Sequence, residues 1–333
     1  MTDPLLELRD LRVWFPIGDG LFRAKRNLRA VDGIDLRVAP GEALGIVGES
    51  GCGKSTLARA ILRLVRTSGG QVVWLGKPIE GWSTSRVRPL RRDMQIVFQD
   101  PLASLDPRMT VGEIVAEPLR VHARDLSRAE RRERVIDILA RVGLPADVVN
   151  RYPHEFSGGQ CQRIGIARAM VLRPKLLVCD EPVSALDVSI QAQIVNLLQD
   201  LKRDFGMTIL FVSHNLAVVR RLCDRVLVLY LGKPMELAST DLLYSQPRHP
   251  YTQGLLAAVP VPDPDLQPQR LGGALGGELP SPMAPPSGCV FRTRCAHAVA
   301  ACAAAAPRLQ SVETGHEVAC DRWREISASG AVA

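Results

Sequence analysis

One glycine-rich segment contains the residue types that are needed to bind phosphate. Residues 48–56 read GESGCGKST and match the pattern G-x-x-x-x-G-K-[ST] without a mismatch. Glycines let the backbone wrap closely around a β-phosphate, and successive N–H groups at a helix N-terminus form a concave anion site. Lys54 is placed to reach the β- and γ-phosphates, and the Ser55 hydroxyl suits a magnesium ion. The predicted nucleotide-binding residues of this phosphate loop are Gly48, Ser50, Gly51, Cys52, Gly53, Lys54, Ser55 and Thr56.

The residues on both sides of the phosphate loop have the pattern that the motif requires. Residues 44–47 form a short apolar run that predicts a buried strand, and residues 57–65 carry apolar residues at helical spacing. A glycine-rich turn that binds nothing is the alternative interpretation. The strand before the loop and the helix after it favour a nucleotide site.

Two adjacent carboxylates follow a second apolar run. Residues 176–179 predict a buried strand, and Asp180 and Glu181 come directly after it. Asp180 is predicted to hold magnesium through water, and Glu181 to polarise the water that attacks the γ-phosphate. Such a pair can equally be structural when it stands alone. Together with the phosphate loop it predicts hydrolysis of a nucleoside triphosphate.

A second glycine-containing loop opens a predicted helix and has no lysine of its own. It consists of Ser157, Gly158, Gly159 and Gln160, and the helix continues from Cys161 to Met170. Two glycines and a serine at a helix N-terminus suit a γ-phosphate. A nucleotide held by the phosphate loop of one subunit and by this loop of another would join the two subunits.

The sequence is predicted to form an α/β core with two additions. Alternating residues in 5–15 and 30–38 predict an antiparallel β layer, and the apolar runs at 175–179, 208–212 and 225–230 predict a parallel sheet buried on both faces. From Asp100 to about residue 166 the pattern is helical, with a capping box at Ser127 and Glu130. Phe15 is either a core aromatic or a residue that stacks on adenine.

The composition and charge narrow the class of protein. The chain has 333 residues and a formal net charge of +7, but no basic tract interleaved with aromatic residues, which argues against nucleic-acid binding. The sign of the charge also fits an anionic membrane surface or an ATP site. No run of eighteen apolar residues occurs, and residues 1–10 lack the pattern of a signal peptide. We therefore expect a cytosolic protein that does not itself cross a membrane.

Proline and glycine mark a change in the chain near residue 260. We predict an ATPase domain at 5–258, with a helical subdomain at about 100–167, a linker at 259–288, a cysteine-rich module at 289–323 and a disordered tail at 324–333. Cys289, Cys295, Cys302 and Cys320 are spaced C-x5-C-x6-C-x17-C.

The four cysteines of the module have three possible interpretations. Disulfides are disfavoured in a reducing cytosol, and structural zinc usually takes tighter C-x2-C pairs. A 4Fe-4S cluster also takes four thiolates and tolerates looser loops. Iron–sulfur, zinc and no metal remain the alternatives. His297 and His316 are expected to be bystanders, and the alternative is that one of them replaces a cysteine as a ligand.

The order of these motifs resembles that of the ATP-binding cassette (ABC) ATPases. The resemblance implies a P-loop NTPase core with a RecA-like mixed sheet, an antiparallel β layer and an inserted α-helical subdomain. It implies catalytic roles for Gln99, Glu181 and His214, although a histidine after a buried strand is by itself more often structural. Phe156 stands where leucine is usual, and Asn215 where aspartate is common. By the same resemblance, magnesium is held by Ser55, Gln99 and Asp180, and further nucleotide contacts come from Phe15, Ser157, Gly158, Gly159, Gln160 and Asp187.

Longer segments resemble the ATPase subunits of oligopeptide and dipeptide importers. They are residues 98–108, 152–160, 249–252, 279–282, 285–289 and 291–295. This resemblance implies ATP, Mg²⁺ and a 4Fe-4S cluster as cofactors. The implied partners are a second ABC ATPase in a heterodimer, two transmembrane permease subunits and an extracytoplasmic solute-binding protein, at the cytoplasmic face of the inner membrane.

Three other functions remain as alternatives. Importers of nickel and other small solutes share much of the pattern. A soluble ABC ATPase acting on DNA or ribosomes is disfavoured by the single cassette and by the absence of a long coiled-coil insertion. A metal-cluster sensor with a degenerate nucleotide site would lack catalytic groups, and all of them are present.

Overall fold

The structure, a computed structural model, describes residues 3–18, 26–259 and 276–329. Most of the predicted linker, at 260–275, and residues 330–333 of the predicted tail lie outside the described residues. The chain divides into two compact units. The first unit consists of Val38–Ala43 and Gly81–Ser213 with the residues up to Leu5, and the second of Leu6–Arg37, Leu44–Glu80 and the chain from His214 onwards.

The regular elements follow one another in this order. The strands are β1 (Leu6–Ile17), β2 (Arg26–Val38), β3 (Ala43–Val47), β4 (Gly69–Trp74), β5 (Lys77–Pro78), β6 (Met94–Val97), β7 (Leu176–Asp180), β8 (Thr208–Val212), β9 (Arg225–Tyr230), β10 (Lys233–Ser239), β11 (Gln310–Glu313) and β12 (His316–Val318). The helices are α1 (Lys54–Ile61), α2 (Thr84–Val87), α3 (Val111–His122), α4 (Arg128–Arg141), α5 (Gly158–Met170), α6 (Val188–Phe205), α7 (Leu216–Leu222), α8 (Thr240–Ser245), α9 (Pro250–Ala257) and α10 (Trp323–Ser329).

The second unit contains the predicted antiparallel layer and a second group of strands. The layer has the order β2-β1-β4-β5, and β1 pairs antiparallel with β4. In the second group β3 pairs parallel with β9, β9 antiparallel with β10, and β10 antiparallel with β12. The hairpin of β11 and β12, within the cysteine-rich module, continues this group of strands, which the sequence pattern does not predict.

The first unit has three parallel strands in the order β8-β7-β6. Every residue of β7 and β8 is buried, which confirms that near-continuous apolar runs form doubly covered strands. The carboxyl ends of β6 and β7 meet, because Val97 lies opposite Cys179 in the register. Residues that follow these two strands are therefore brought close together.

The helices of the first unit begin later than predicted. The helical pattern is expected from Asp100, but α3 begins at Val111 and the residues between form turns. Pro101 and Pro107 interrupt this stretch, because proline has no N–H to donate and disfavours a helical conformation in the residue before it. The capping box of α4 is as predicted: Ser127 N–H donates to Glu130 Oε2 at 2.7 Å, and Glu130 N–H to Ser127 Oγ at 3.2 Å.

The cysteine-rich module has buried apolar residues of its own. They are Val290, Phe291, Val318, Ala319 and Ile326. The tail is expected to be disordered from residue 324, but the chain remains helical to Ser329 in α10, where Ile326 is only 5% exposed. Within the described ranges, no helix combines the length and the apolar composition that a membrane crossing requires.

Candidate nucleotide-binding site

The phosphate loop connects β3 to α1 through glycines that no other residue could replace without strain. Gly48 has φ 150° and Gly53 has φ 104°, in the region that favours glycine. A Cβ on Gly48 would lie 2.2 Å from the Leu229 carbonyl oxygen, and one on Gly53 would lie 2.0 Å from the Ala30 carbonyl oxygen. Gly53 is also the N-cap of α1, so the helix begins without a capping side chain over its first N–H groups. Such an N-terminus can receive an anion.

Lys54 places a cation inside this loop. Its side chain is buried, and Nζ donates to the carbonyl oxygens of Gly48 at 2.9 Å and Glu49 at 3.0 Å. Two loop carbonyls thus replace part of the water that a buried ammonium loses. Burial also raises the pKa of the neighbouring Cys52 thiol, which keeps that side chain neutral.

The other predicted residues of the second unit are more accessible. Ser50 and Gly51 are exposed at the tip of the loop, and Ser55 and Thr56 are half-buried in the first turn of α1. Phe15 lies on β1 and is 36% exposed, so it is not enclosed in the core. Its stacking on adenine stays a prediction.

Two residues that the sequence pattern does not mark as site residues hold the phosphate loop from the C-terminal part of the chain. Tyr251, on α9, accepts a hydrogen bond from Glu49 N–H at 2.9 Å. Arg294 donates to both carboxylate oxygens of Glu49, at 2.7 and 3.1 Å. In the sequence these two residues stand out only as members of the family-like segments 249–252 and 291–295. The position of these segments in the chain does not predict a contact with the loop.

The carboxylate pair lies in the first unit at the end of β7. Asp180 is 1% exposed. Glu181 has φ 50°, an uncommon backbone conformation for a non-glycine residue that often marks a functional site. Gln99, which follows β6, donates through Nε2 to Glu181 Oε2 at 3.4 Å. The structure therefore brings Gln99 and Glu181 together at the meeting carboxyl ends of β6 and β7.

The second glycine-containing loop, residues 157–160, is held by a capping box between its own residues. Ser157 is the N-cap of α5: its Oγ accepts from Gln160 N–H at 3.4 Å, and its own N–H donates to Gln160 Oε1 at 3.0 Å. Ser157 and Gln160 are exposed, and Gly158 and Gly159 are half-buried. A Cβ on Gly159 would lie 2.7 Å from Ile190 Cγ2, so glycine permits close packing against α6.

The remaining predicted residues lie at the starts of helices. Asp187 is the exposed N-cap of α6 and makes no capping hydrogen bond through its side chain. His214 is exposed just before α7. Asn215 caps that helix, because its Oδ1 accepts from the N–H groups of Ala217 and Val218 at 3.0 and 3.3 Å. Aspartate would supply the same acceptor, which explains why asparagine is tolerated here.

The four cysteines of the module are half-buried and influence one another. Burial, and then the other three thiols, raise the pKa of Cys320 to about 11. Burial raises the pKa of Cys289, with smaller contributions from Cys295 and Cys302, and Cys289 N–H donates to the Cys302 carbonyl at 2.8 Å.

No metal group is confirmed in the module. Among residues 3–18, 26–259 and 276–329, no set of three or more His, Cys, Asp or Glu side chains could hold a metal ion. His316 is fully buried, with Nε2 lying 2.7 Å from Glu236 Oε1, and His297 is exposed.

Comparisons with known proteins agree with this geometry. The family model described as "ABC transporter" matches residues 31–184, and the one described as "Oligopeptide/dipeptide transporter, C-terminal region" matches residues 235–302. The oligopeptide transport ATP-binding protein OppF of Escherichia coli K12 is 57% identical over 319 residues, which cover 95% of each chain. OppF of Haemophilus influenzae is 54% identical over 95% of this chain and 96% of its own.

Solved structures of ABC cassettes are also similar. The ATP-binding cassette MJ0796, a dimer in a post-hydrolysis state with ADP and Pi, has a TM-score of 0.64 and 30% identity, and the match covers 71% of this chain and 98% of that chain. The cbiO1 protein of Clostridium perfringens, part of the cbiONQ transporter complex, has a TM-score of 0.64 and 29% identity over 74% of this chain and 92% of its own. On the evidence of its relatives and of its phosphate loop, this chain belongs to the ABC transporter family of ATPases, in the group that includes the OppF proteins.

Proposed function

We propose that this chain is the ATP-hydrolysing subunit of an importer for oligopeptides or dipeptides. The observation that carries the proposal is the Lys54 ammonium inside a glycine loop that begins a helix. The transported solute is inferred from the OppF relatives, which are named oligopeptide transport ATP-binding proteins, and from the family of the C-terminal region.

The phosphate loop would bind the β- and γ-phosphates of ATP. Lys54 would exchange the carbonyls of Gly48 and Glu49 for phosphate oxygens, and the first N–H groups of α1 would complete the anion site. The absence of side chains at Gly48 and Gly53 lets the loop backbone pack closely against the carbonyl groups of Leu229 and Ala30.

The donor groups that remain fit magnesium and an attacking water. Ser55, Asp180 and Gln99 offer hydroxyl, carboxylate and amide oxygens, the hard donors that Mg²⁺ prefers. Mg²⁺, when bound, neutralises the charge on the β- and γ-phosphate oxygens. Glu181 would polarise the attacking water, oriented by the hydrogen bond from Gln99, and His214 would contact the γ-phosphate.

A second ATPase subunit would complete each nucleotide site. The loop at 157–160 has an exposed helix N-terminus and no lysine, so it suits a nucleotide that is held by the phosphate loop of a partner. We propose a heterodimer at the cytoplasmic face of the inner membrane, with two permease subunits and an extracytoplasmic solute-binding protein. ATP that bridges both chains would favour the closed dimer. Nucleic acid is not among the proposed partners.

Replacement of Glu181 by Gln tests the hydrolytic part of the proposal. We expect ATP binding to be kept and turnover in the assembled complex to fall at least about 100-fold, because the group that polarises water is lost while the phosphate loop is intact. The matched control is Glu133→Gln on the exposed face of α4, which should hydrolyse ATP normally. Normal turnover in Glu181→Gln would contradict the assignment.

Purification of the complex from native membranes tests the transport part. Two polytopic membrane proteins and a second ATPase should accompany the chain, and the associated binding protein should carry peptide. A binding protein that carries nickel would show that the transported solute is nickel and not peptide. Co-purifying DNA or ribosomes would contradict the transport function.

We also propose that Cys289, Cys295, Cys302 and Cys320 hold a 4Fe-4S cluster. Support comes from the fold of the module, in which Cys289 N–H bonds to the Cys302 carbonyl at 2.8 Å and burial together with the other three thiols raises the pKa of Cys320. Structural zinc usually takes tighter C-x2-C pairs, which the spacing of these four cysteines lacks. A four-iron cluster offers each thiolate its own iron and so accepts a wider arrangement.

Metal analysis of protein prepared without oxygen tests the cluster. We expect a brown protein with about four irons per chain, and loss of colour in Cys302→Ser. A colourless protein that contains one zinc would contradict the iron–sulfur proposal. No metal at all, with four alkylatable thiols, would contradict any metal in the module.

A further inference from the structure

Arg294 belongs to the cysteine-rich module by sequence but binds the phosphate loop. It lies between Cys289 and Cys295, and its guanidinium forms a two-pronged ion pair with Glu49 over distances of 2.7 and 3.1 Å. The Arg294 side chain is 6% exposed and that of Glu49 is 27% exposed. Bidentate pairs of this kind are stronger and more directional than a single contact, and weak screening by water adds to their strength.

The guanidinium of Arg294 is fixed on more than one side. Its Nε donates to the Gly276 carbonyl at 3.0 Å, and its central carbon lies 5.9 Å from the centroid of the Tyr230 ring. A guanidinium stays charged throughout the physiological pH range. Little further ordering is needed when this side chain holds Glu49.

The module also supports the loop through an aromatic cluster. Phe291, 1% exposed, has its ring centroid 5.3 Å from those of both Tyr230 and Tyr251. Tyr251 in turn accepts the hydrogen bond from Glu49 N–H. Because Phe291 packs against the tyrosine that binds the loop, the module contacts Glu49 by two routes.

Glu49 is consequently held at three of its groups. Its N–H bonds to Tyr251, its carboxylate to Arg294, and its carbonyl accepts from Lys54 Nζ. These contacts fix the direction of a carbonyl that positions the Lys54 ammonium. The ion pair also neutralises a carboxylate in a loop whose ligand is itself strongly anionic.

We infer that Arg294 is a positioning residue for the phosphate loop, and that the cysteine-rich module is thereby part of the nucleotide-binding machinery. Arg294 neutralises Glu49 and holds the loop in the form that receives phosphate. The inference rests on the proposed function of the loop as the ATP site.

Binding of MgATP to the purified full chain, measured by calorimetry, tests this role. In Arg294→Ala the Kd for MgATP should rise about tenfold, because an unpaired carboxylate is left beside the phosphates. The matched control is Arg292→Ala, two residues away in the same module, whose guanidinium bonds to the carbonyl and hydroxyl of Ser287 at 2.8 and 3.3 Å. Its Kd should stay within about twofold of the wild-type value.

Two further variants separate positioning from a general loss of stability. Arg294→Lys keeps the positive charge but loses the two-pronged hydrogen bonding of the guanidinium. Its Kd should therefore lie between those of wild type and Arg294→Ala. The double variant Arg294→Ala with Glu49→Gln removes the unpaired charge, and its Kd should return to within about threefold of wild type. Damage to the fold alone would not be repaired by a second substitution.

Steady-state hydrolysis in the assembled complex supplies a second readout. Arg294→Ala should raise KM for ATP and leave kcat within about twofold, because the groups that act on water lie in the other unit. A wild-type Kd in Arg294→Ala, or losses that add in the double variant, would overturn the inference. Wild-type protein that binds no MgATP would instead contradict the nucleotide site itself.

Discussion

Two loops of this protein place glycines at the start of a helix, yet they differ in backbone conformation. In the phosphate loop Gly48, Gly51 and Gly53 have positive φ, and the loop wraps around the buried Lys54 ammonium. In the loop at 157–160 neither glycine has a positive φ, and the exposed Ser157 bonds to the first turn of its own helix. The first loop forms a concave site, whereas the second presents an exposed helix N-terminus that its own capping box closes.

The two loops also differ in what supports them. The phosphate loop receives contacts from residues far along the chain, namely Tyr251 and Arg294. The loop at 157–160 is held by its own capping box with Gln160. A loop outside regular secondary structure has few hydrogen bonds of its own to hold a buried cation in place, while a helix N-terminus with a capping box is held by its own first turn. We therefore expect the first loop to bind ATP in the isolated chain and the second to act when a partner brings its nucleotide.

Among the variants that test the difference between the two loops, Lys54→Ala should have the largest effect on nucleotide binding. In Lys54→Ala the affinity of the isolated chain for MgATP should fall about 100-fold, because a charge-assisted contact to the phosphates is lost. Calorimetric titration of the isolated chain with MgATP measures this affinity. An unchanged affinity would show that the phosphate loop is not the primary anion site.

Ser157→Arg should leave that same affinity within about twofold, since no part of the loop at 157–160 binds the chain's own nucleotide in this scheme. It should block the ATP-dependent dimer and hydrolysis in the complex, because it adds bulk and charge where the nucleotide of the partner docks. Light scattering with ATP measures the dimer. A collapse of the isolated chain's affinity would contradict the division between the two loops.

The glycines of the two loops should respond differently to a methyl group. Gly53→Ala places Cβ 2.0 Å from the Ala30 carbonyl oxygen at φ 104°, which should destabilise the fold by about 2–4 kcal/mol. In Gly158→Ala the new Cβ lies 3.7 Å from Leu186 Cδ2, so the change should stay within about 1 kcal/mol. Urea unfolding of both variants measures the difference, and equal losses would contradict it.

Acid should weaken the support of the phosphate loop before that of the other loop. His249 is buried beside Phe291 and Tyr251, and burial lowers its pKa to about 4. Its ordinary pKa is 6.5, so between pH 6.5 and 4 the unfolded state binds the proton and the folded state does not. As the pH is lowered from 6.5 to 4, the free energy of unfolding should therefore decrease, by up to about 3 kcal/mol.

Hydrogen exchange in α9 and α5 at pH 7 and pH 5 locates this effect. Protection of α9 should decrease more than that of α5 as the pH falls. His249→Asn, which keeps an acceptor for Tyr251 N–H, should flatten the pH dependence, whereas His154→Asn, an exposed residue near the loop at 157–160, should not. Equal pH dependence in both variants would contradict the assignment to His249.

The sequence by itself determined the features that depend on local pattern. The phosphate loop, the carboxylates at the end of β7, the capping box at Ser127 and the buried strands β7 and β8 all lie where the sequence predicted them. Each is set by neighbours within a few residues: glycine at positive φ, side chains that cap a helix, or apolar residues at strand spacing. Such constraints act on the backbone before any long-range contact forms.

Only the tertiary structure decided which distant residues support the site. Arg294 and Glu49 are 245 residues apart, and Tyr251 and Glu49 are 202 apart. Arginine, tyrosine and glutamate are common residue types without a spacing that links them. The pairing of β12 with β10 brings the C-terminal segment onto the second unit, and short strands carry too weak a local signal to predict that register. The support of the phosphate loop is thus a property of the folded chain, because it depends on contacts between residues 202 and 245 positions apart in the sequence.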